Sequence, residues 1–183
     1  MPEAIENYTP QTTLKDIKRL AFLAWAIGFA FVFIWVAAIV FAPIFETNGL
    51  ANISAPIYKF FSFLCHQQSS RSFHFHEHQF AVCSRCFGIY FGLLAGFIVY
   101  LFIKKIEDIE PIPRFWLFLA LIPMGIDWGL TAFDIWENTH LSRLLTGLIL
   151  GITCAIFIVP ALVEIVRLLS KKSKRQSSKQ LNF

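Results

Sequence analysis

Four long apolar stretches constrain the fold of this chain more than any motif does. They cover residues 20–45, about 80–103, 115–136 and 144–165. Each can cross a bilayer as a helix, because a hydrocarbon core of about 30 Å needs about 20 apolar residues. With 56% hydrophobic and only 15% charged residues, the chain cannot fold as an ordinary water-soluble domain. The sequence therefore predicts an all-α integral membrane protein, a single membrane domain over residues 1–183 with four transmembrane helices.

The positions of lysine and arginine predict the orientation of these helices. Four spans place the N-terminus, the loop over residues 104–114 and the C-terminal tail on the same side of the membrane. Twelve of the sixteen basic residues lie on that side, namely Lys15, Lys18, Arg19, Lys104, Lys105, Arg114, Arg167, Lys171, Lys172, Lys174, Arg175 and Lys179. The positive-inside rule makes this side cytoplasmic. We therefore expect a multi-pass protein of the cell (plasma or inner) membrane, with both termini in the cytoplasm and the first long loop extracytoplasmic.

The net charge of +4 follows from this asymmetry and does not indicate a nucleic-acid partner. The expected partner is the lipid bilayer. The basic, serine-rich tail over residues 171–183 predicts a disordered segment that anchors to anionic lipid. The first span lacks the small-residue cleavage pattern of a signal peptide, so we interpret it as a retained helix.

The first extracytoplasmic loop, over residues 46–79, is long for a connection in a helical bundle. It is therefore expected to hold structure of its own. Apolar residues recur at helical spacing over residues 57–64, directly after Pro56. This pattern predicts a short amphipathic helix in the membrane interface, which would bring Cys65 and His66 to the membrane surface.

Almost all of the candidate chemistry lies in residues 65–90, which hold three of the four cysteines and four of the five histidines. So many soft and borderline ligands in one segment indicate a metal or thiol site. In a metal site, Cys83 and Cys86 would supply two thiolates from one helical turn. Cys65, with His66 or one of the loop histidines, would complete a tetrahedral Cys3His set, which suits zinc.

The same cysteines also suit a thiol site. Cys83 and Cys86 would then form a disulfide pair with Cys65 as the exchange partner, while Arg85 and a helix N-terminus would lower one thiol pKa. A structural disulfide is the simpler version of this interpretation. Three nearby histidines suit an extended strand or a metal-binding arm, or represent ordinary loop polarity: His74, His76 and His78.

Asp127 lies about twelve residues into the third span, towards its extracytoplasmic end. A carboxylate at this depth costs on the order of 2.5–3.5 kcal/mol on insertion scales, so it is expected to face the bundle interior and to have a partner. Arg143, which enters the membrane from the same side on the next helix, is the predicted partner. The pair is either a structural ion pair or part of the functional site.

Two spans carry glycine at intervals of four residues. These are Gly88, Gly92 and Gly96 in the second span, and Gly147 and Gly151 in the fourth. Small residues at this spacing let helix backbones approach closely, so we expect helix packing rather than ligand contact. Such packing would bring the start of the second span near the start of the fourth and place Cys83 and Cys86 beside Arg143.

Three blocks of this sequence resemble the signature of an uncharacterised family of small prokaryotic multi-pass membrane proteins. The blocks are Cys65-His66-Gln67, Arg71-Ser72-Phe73 and residues 83–92, which fit the pattern CHQ, RSF and CxRCxGIYxG. The family is also similar in an acidic residue in a later span, here Asp127, and in an R-x-x-T-G element, here at residues 143–147. The resemblance covers residues 65–151. It implies the membrane class and a common site, without an established activity.

The leading hypothesis is a membrane protein with an extracytoplasmic Cys/His metal site, zinc first, extending to a metal-dependent enzyme on a lipid or exported substrate. The predicted metal ligands are Cys65, His66, Cys83 and Cys86, and the catalytic candidates are Asp127, Arg143 and His66. The alternatives are a quinone-linked thiol–disulfide oxidoreductase and a non-catalytic subunit or scaffold of a membrane complex. The sequence contains no nucleophile triad, phosphate loop or haem-attachment motif that would assign an enzyme class.

Overall fold

The computed structural model describes residues 11–106, 108, 110 and 112–180, and within these it describes the side chains of residues 15–170. In chain order the elements are α1 (Gln11–Thr47), α2 (Ala51–Ser62), a 3-10 turn (Ser69–Arg71), β1 (His74–Phe75), β2 (His78–Gln79), α3 (Ser84–Ile103), α4 (Phe115–Ala132) and α5 (His140–Gln180). α1 packs against α2, α3 and α5, whereas α4 packs mainly against α5.

Four of these helices are long and apolar enough to cross a membrane. The candidate spans are Lys15–Thr47, Ser84–Ile103, Phe115–Ala132 and His140–Ser170. The prediction of an all-α membrane protein with four transmembrane helices is therefore confirmed. The remaining helix, α2, lies in the loop after the first span, where the apolar spacing predicts a short helix. It buries Phe61 and leaves Ile53 and Phe60 exposed, a division that suits the membrane interface.

A two-residue hairpin carries the loop histidines. β1 and β2 pair antiparallel, with Phe75 opposite His78. His76 and Glu77 form the turn with φ angles of 45° and 69°, and a tight two-residue turn of this kind needs positive φ at both positions. In the described part of the chain this hairpin is the only β structure. His74 and His78 lie in its strands and His76 lies in its turn, so the three alternating histidines do not form one extended strand.

The third span is shorter than the predicted stretch, because α4 ends at Ala132 and not at Trp136. Asp134 adopts a φ of 53°, and the N–H of the residue after it donates to the Leu130 carbonyl. This is the Schellman arrangement that commonly ends a helix. α5 begins at His140, four residues before the predicted stretch, so a short connection over residues 133–139 joins the two helices.

α5 continues as a helix to Gln180, whereas the basic, serine-rich sequence predicts a disordered tail over residues 171–183. Lysine, arginine and glutamine are good helix formers, and extending an existing helix costs far less than starting one. The side chains of residues 171–180, and residues 181–183 altogether, lie outside the described part of the chain. Anchoring of the tail to lipid therefore stays a prediction.

α3 and α5 form the most extensive helix pair, and their backbones are in direct contact. Gly88, Gly92 and Gly96 of α3 face α5, and a Cβ placed on any of them would approach α5 more closely than real Cβ atoms do. Gly147 and Gly151 of α5 face α3 in the same way. The two glycine stripes thus pack against each other within one chain, and their fit places the first turns of α3 and α5 side by side.

Replacing Gly92 with alanine is expected to destabilise the protein by about 1–3 kcal/mol, because the added methyl group must separate α3 from the Leu148 backbone. The matched control is Gly125→Ala on α4, where no described atom lies within 4 Å of the added Cβ. There the change should be neutral or stabilising by up to about 1 kcal/mol, since alanine is the better helix former. Unfolding midpoints in detergent measure both effects, and equal shifts for the two variants would contradict this packing.

Candidate metal centre and its cavity

Three cysteines come together where the loop after α2 meets the start of α3. The Sγ atoms of Cys65, Cys83 and Cys86 all lie within 4.8 Å of one another, and the three residues are free thiols. Cys83 is the residue that caps the N-terminus of α3, and Cys86 lies one turn further on. The C-x-x-C spacing therefore directs both sulfur atoms to the same side of the helix. Such a group of thiols can hold a metal ion.

Gln67 holds the segment that carries Cys65. Its side-chain amide donates to the carbonyl oxygens of Tyr58, on α2, and Ala81, just before α3, both at 2.8 Å. Its backbone has a φ of 47°, which is uncommon for a residue with a side chain. The Cys83 N–H in turn donates to Cys65 Sγ at 3.2 Å. The glutamine thus joins the two chain segments that supply the sulfur atoms.

The surroundings of the thiols favour a thiolate at Cys83. Hydrogen bonds from the side chains of Cys65 and Cys86 hold the pKa of the Cys83 thiol well below its usual range. Cys65 itself packs in an apolar cluster with Ile39 of α1 and Phe61 of α2. The thiolate is both the nucleophilic and the metal-binding form of cysteine, so a lowered pKa at Cys83 favours either chemistry.

The four histidines of residues 65–90 do not belong to the group formed by the three sulfur atoms. His66 lines the same cavity as the cysteines, but its imidazole is not among the ligand atoms that lie within 4.8 Å of one another. His74 Nε2 lies 3.0 Å from Ser69 Oγ in the loop. His76 and His78 also lie outside the cysteine group. The described residues thus bring together three sulfur ligands, and His66 as the fourth ligand stays a prediction.

Ser84, in the first turn of α3, contacts both the loop after α2 and the first turn of α5. Its hydroxyl donates to the Arg71 carbonyl at 2.9 Å and lies 2.8 Å from His140 Nδ1. Ser72, which is fully buried, donates to the Gln68 carbonyl at 2.8 Å. These contacts hold the Arg-Ser-Phe segment against the bundle and bring Arg71 to the edge of the cavity.

Asp127 pairs with Arg85, so the predicted direct pairing with Arg143 is wrong. Arg85 Nη2 lies 2.5 Å from Asp127 Oδ2. Asn138 separates Asp127 from the other arginine: its Nδ2 donates to Asp127 Oδ2 at 2.9 Å, and its Oδ1 accepts from Arg143 Nε at 2.6 Å. The early end of α4 causes this arrangement, because it lets the connection carry Asn138 into the space between the two charged groups. The expectation that Asp127 faces inward with a partner is confirmed.

A cavity of about 530 Å³ is lined by the cysteine cluster and by three arginines. Its polar lining includes the three clustered cysteines together with His66, Arg71, Arg85, Asn138 and Arg143. Its apolar lining includes Ile89 of α3 and Met124 and Trp128 of α4. The cysteine cluster therefore shares one space with Arg85 and Arg143, and the expected placement of Cys83 and Cys86 beside Arg143 is confirmed. Asp127 is connected to this space through its contacts with Arg85 and Asn138.

Arg71, Gln67 and Asn138 are not among the site residues predicted from the sequence, and Arg85 is predicted only to lower a thiol pKa. Three of these residues lie inside the CHQ, RSF and CxRC blocks, so their place in the signature was the available signal. Asn138 carries no such signal, because its role depends on where α4 ends.

The direct contact predicts which arginine is energetically coupled to Asp127. Removing one partner of the Arg85–Asp127 pair leaves a poorly solvated charge and is expected to cost about 3–5 kcal/mol. The double change Arg85→Gln with Asp127→Asn should recover at least about 1 kcal/mol of the summed loss. The comparison cycle, Arg143→Gln with Asp127→Asn, should show a smaller coupling because Asn138 separates the groups. Unfolding of the purified variants measures both cycles, and a larger coupling to Arg143 would overturn the pairing.

Comparison with known proteins places this architecture in a family. The model of a family described as "Predicted membrane protein (DUF2085)" matches residues 65–157, a segment that contains the three clustered cysteines and the three cavity arginines. An uncharacterized protein of Methanocaldococcus jannaschii is 40% identical over 127 residues, which are 69% of this chain and 81% of that protein.

A second uncharacterized protein, from Methanothermobacter thermautotrophicus, is 35% identical over 96 residues, which are 52% of this chain and 85% of that protein. No solved structure matches the chain. The family match covers half of the chain, and the first relative is covered over most of its length. The chain therefore belongs to the DUF2085 family of predicted membrane proteins.

Proposed function

We propose that Cys65, Cys83 and Cys86 bind one thiophilic metal ion at the membrane surface, with zinc as the expected ion. The approach of three thiols to within 4.8 Å of one another supports this proposal. They come from two chain segments that Gln67 joins. A disulfide uses two sulfur atoms, whereas a shared ion accounts for all three.

The spacing of the sulfur atoms suits a tetrahedral ion. Zinc–sulfur bonds are about 2.3 Å long, so two sulfur ligands of such an ion lie roughly 3.8 Å apart. The sulfur atoms lie within 4.8 Å of one another, so their separations are close to those that a tetrahedral zinc ion requires. The lowered pKa of Cys83 provides the first thiolate, and ion binding would deprotonate the other two thiols.

Three protein sulfur atoms leave one position for a fourth ligand. His66 lines the cavity beside the cluster and is the proposed protein ligand for that position. If His66 takes it, the site is closed and structural. If water or substrate takes it, the ion acts as a Lewis acid, and the protein is a metal-dependent enzyme acting on a lipid or exported substrate in the cavity, with Asp127 and Arg143 as nearby charged groups.

The site is further proposed to face the extracytoplasmic side. The cysteine cluster lies at the end of the bundle where α3 and α5 begin, and residues 104–114 connect α3 to α4 at the other end. That other end, with both termini, carries twelve of the sixteen lysines and arginines. By the positive-inside rule it belongs in the cytoplasm.

A thiol–disulfide oxidoreductase is the second candidate, and the state of Cys83 favours it. A low-pKa thiolate beside a partner thiol, here Cys86, is the arrangement of a redox-active pair. In this case Cys65 would be the exchange partner and a membrane quinone the electron acceptor. The two candidates differ in whether the purified protein carries a metal ion or a reducible disulfide.

Purified full-length protein is expected to contain about one equivalent of zinc, as a three-thiolate site requires. Changing Cys65, Cys83 or Cys86 to serine should each remove most of it, because each change removes a ligand. Cys154→Ser is the matched control, since Cys154 lies outside the cluster, and it should retain the metal. Elemental analysis and thiol counting on the same sample give the readout.

His66→Ala separates the closed site from the open one. Loss of zinc to the same degree as in the cysteine variants would identify His66 as the fourth ligand, whereas retained zinc would leave that position to water or substrate. Metal-free wild-type protein with a reducible bond between Cys83 and either Cys65 or Cys86 would refute the metal proposal in favour of the redox one.

The proposed orientation predicts the labelling of single added cysteines in intact cells. A membrane-impermeant maleimide should label His74→Cys, which is exposed in the hairpin, and should leave Lys105→Cys, which is exposed at the other end, unlabelled until the cells are opened. Gel-shift detection reports both variants. Labelling of Lys105→Cys alone in intact cells would reverse the orientation and place the site in the cytoplasm.

A further inference from the structure

We infer that the cavity binds a phosphoryl group through Arg71, Arg85 and Arg143. This deepens the proposed function, on which it rests for the identity of the site, by naming a substrate class for the cavity. All three arginines line it. They come from the 3-10 turn, the first turn of α3 and the first turn of α5, segments that meet because the glycine stripes hold α3 against α5.

The cavity carries more positive charge than its carboxylates neutralise. Asp127 pairs with Arg85. Among the described residues, no carboxylate oxygen lies within 4.0 Å of the guanidinium of Arg71 or Arg143. Glu137 lines an adjoining cavity with both of them but forms an ion pair with neither. Two guanidinium charges are therefore left for a ligand.

Because Arg143 is buried, leaving its positive charge without a counterion costs free energy. The residue is only 9% exposed, and within the described part of the chain its guanidinium has one hydrogen-bond partner, Asn138, which accepts from Nε. Arg85 Nε is buried and has no hydrogen-bond partner among the described residues. Arginine does not lose its proton in proteins, so its buried charge needs an anion to offset the loss of water. A bound anion would supply acceptors for the unpaired N–H groups.

Three guanidinium groups favour a phosphoryl group over a carboxylate. A carboxylate presents two oxygens in one plane, and one bidentate arginine can satisfy both of them. A phosphoryl group presents three oxygens in different directions and carries up to two negative charges, so it can accept from several arginines at once. Arginines converging from three chain segments match the second geometry.

The other wall of the cavity favours a phosphoryl group that carries an apolar chain. Met124 and Trp128 of α4 line it together with Ile89 of α3. α4 is a candidate span with little protein cover, and Trp128 is 62% exposed. This wall therefore borders the hydrocarbon of the bilayer. A lipid phosphate would place its chain there and its headgroup among the arginines, whereas free phosphate would use the arginines alone.

Calorimetric titration of the full-length protein in neutral detergent at fixed ionic strength tests the inference with three probes. Dihexanoyl phosphatidic acid, which has a terminal phosphoryl group, is expected to bind saturably at about one equivalent. Inorganic phosphate should bind at least about 10-fold more weakly; equal affinity would show that the phosphoryl group alone is recognised. Dihexanoyl phosphatidylcholine, in which choline blocks the phosphate, should not bind saturably, and affinity equal to that of phosphatidic acid would overturn the inference.

Arginine variants connect binding to the cavity. Arg71→Gln is the first choice, because Arg71 is exposed and the change should leave folding intact; it is expected to weaken phosphatidic acid binding about 10-fold or more. Arg143→Gln should weaken it at least as much, and Arg143→Lys, which keeps the charge, should restore part of the affinity. Arg114→Gln is the matched control on an exposed arginine at the other end of the bundle and should bind as wild type. Unchanged binding in folded Arg71→Gln protein would refute the inference.

Metal analysis of the same samples separates this inference from the metal proposal. Metal-free wild-type protein that binds phosphatidic acid would refute the metal site and leave the phosphoryl site standing. Zinc-loaded protein that binds none of the three probes would refute the phosphoryl site and leave the metal site standing.

Discussion

The backbone contact between α3 and α5 is the interaction on which the rest of this structure depends. In a bilayer there is no hydrophobic drive to press one helix against another, so association relies on close packing and polar contacts. The glycine stripes provide the close packing, and Ser84, within 2.8 Å of His140, provides a polar contact at the end of the pair. Because the first turns of the two helices are thereby aligned, Cys83, Cys86 and Arg85 face the space that Arg143 enters.

Buried charge then defines the shape of that space. An unpaired Asp127 carboxylate would cost too much free energy in the membrane. Its contact with Arg85 attaches α4, which otherwise packs mainly against α5, to the start of α3. Asn138 extends the same chain of hydrogen bonds to Arg143. Arg85, Asn138 and Arg143 belong to this network and also line the cavity, so structure and proposed ligand binding rest on the same residues. The cysteine cluster borders this network through Arg85, which lies between Cys83 and Cys86 in the sequence.

Local patterns in the sequence predicted the parts of the fold that depend on single segments. Apolar length gave the four spans, because the bilayer thickness allows few alternatives. The interval of four predicted which glycines pack, since that interval returns to one face of a helix. The concentration of cysteines in residues 65–86 indicated the cluster that forms. The boundaries were less accurate: a left-handed residue, Asp134, ends α4 inside an apolar stretch, and no apolar pattern contains that information.

The sequence by itself thus determined the membrane class, the number of spans and the set of residues that can do chemistry, because each follows from composition or spacing within one segment. Only the tertiary structure decided how those residues combine. It paired Asp127 with Arg85 instead of Arg143, left His66 outside the cysteine group and gathered three arginines from distant segments into one cavity. These outcomes depend on distances of a few ångströms between side chains on different helices, and such distances are set by helix packing and by where each helix begins and ends.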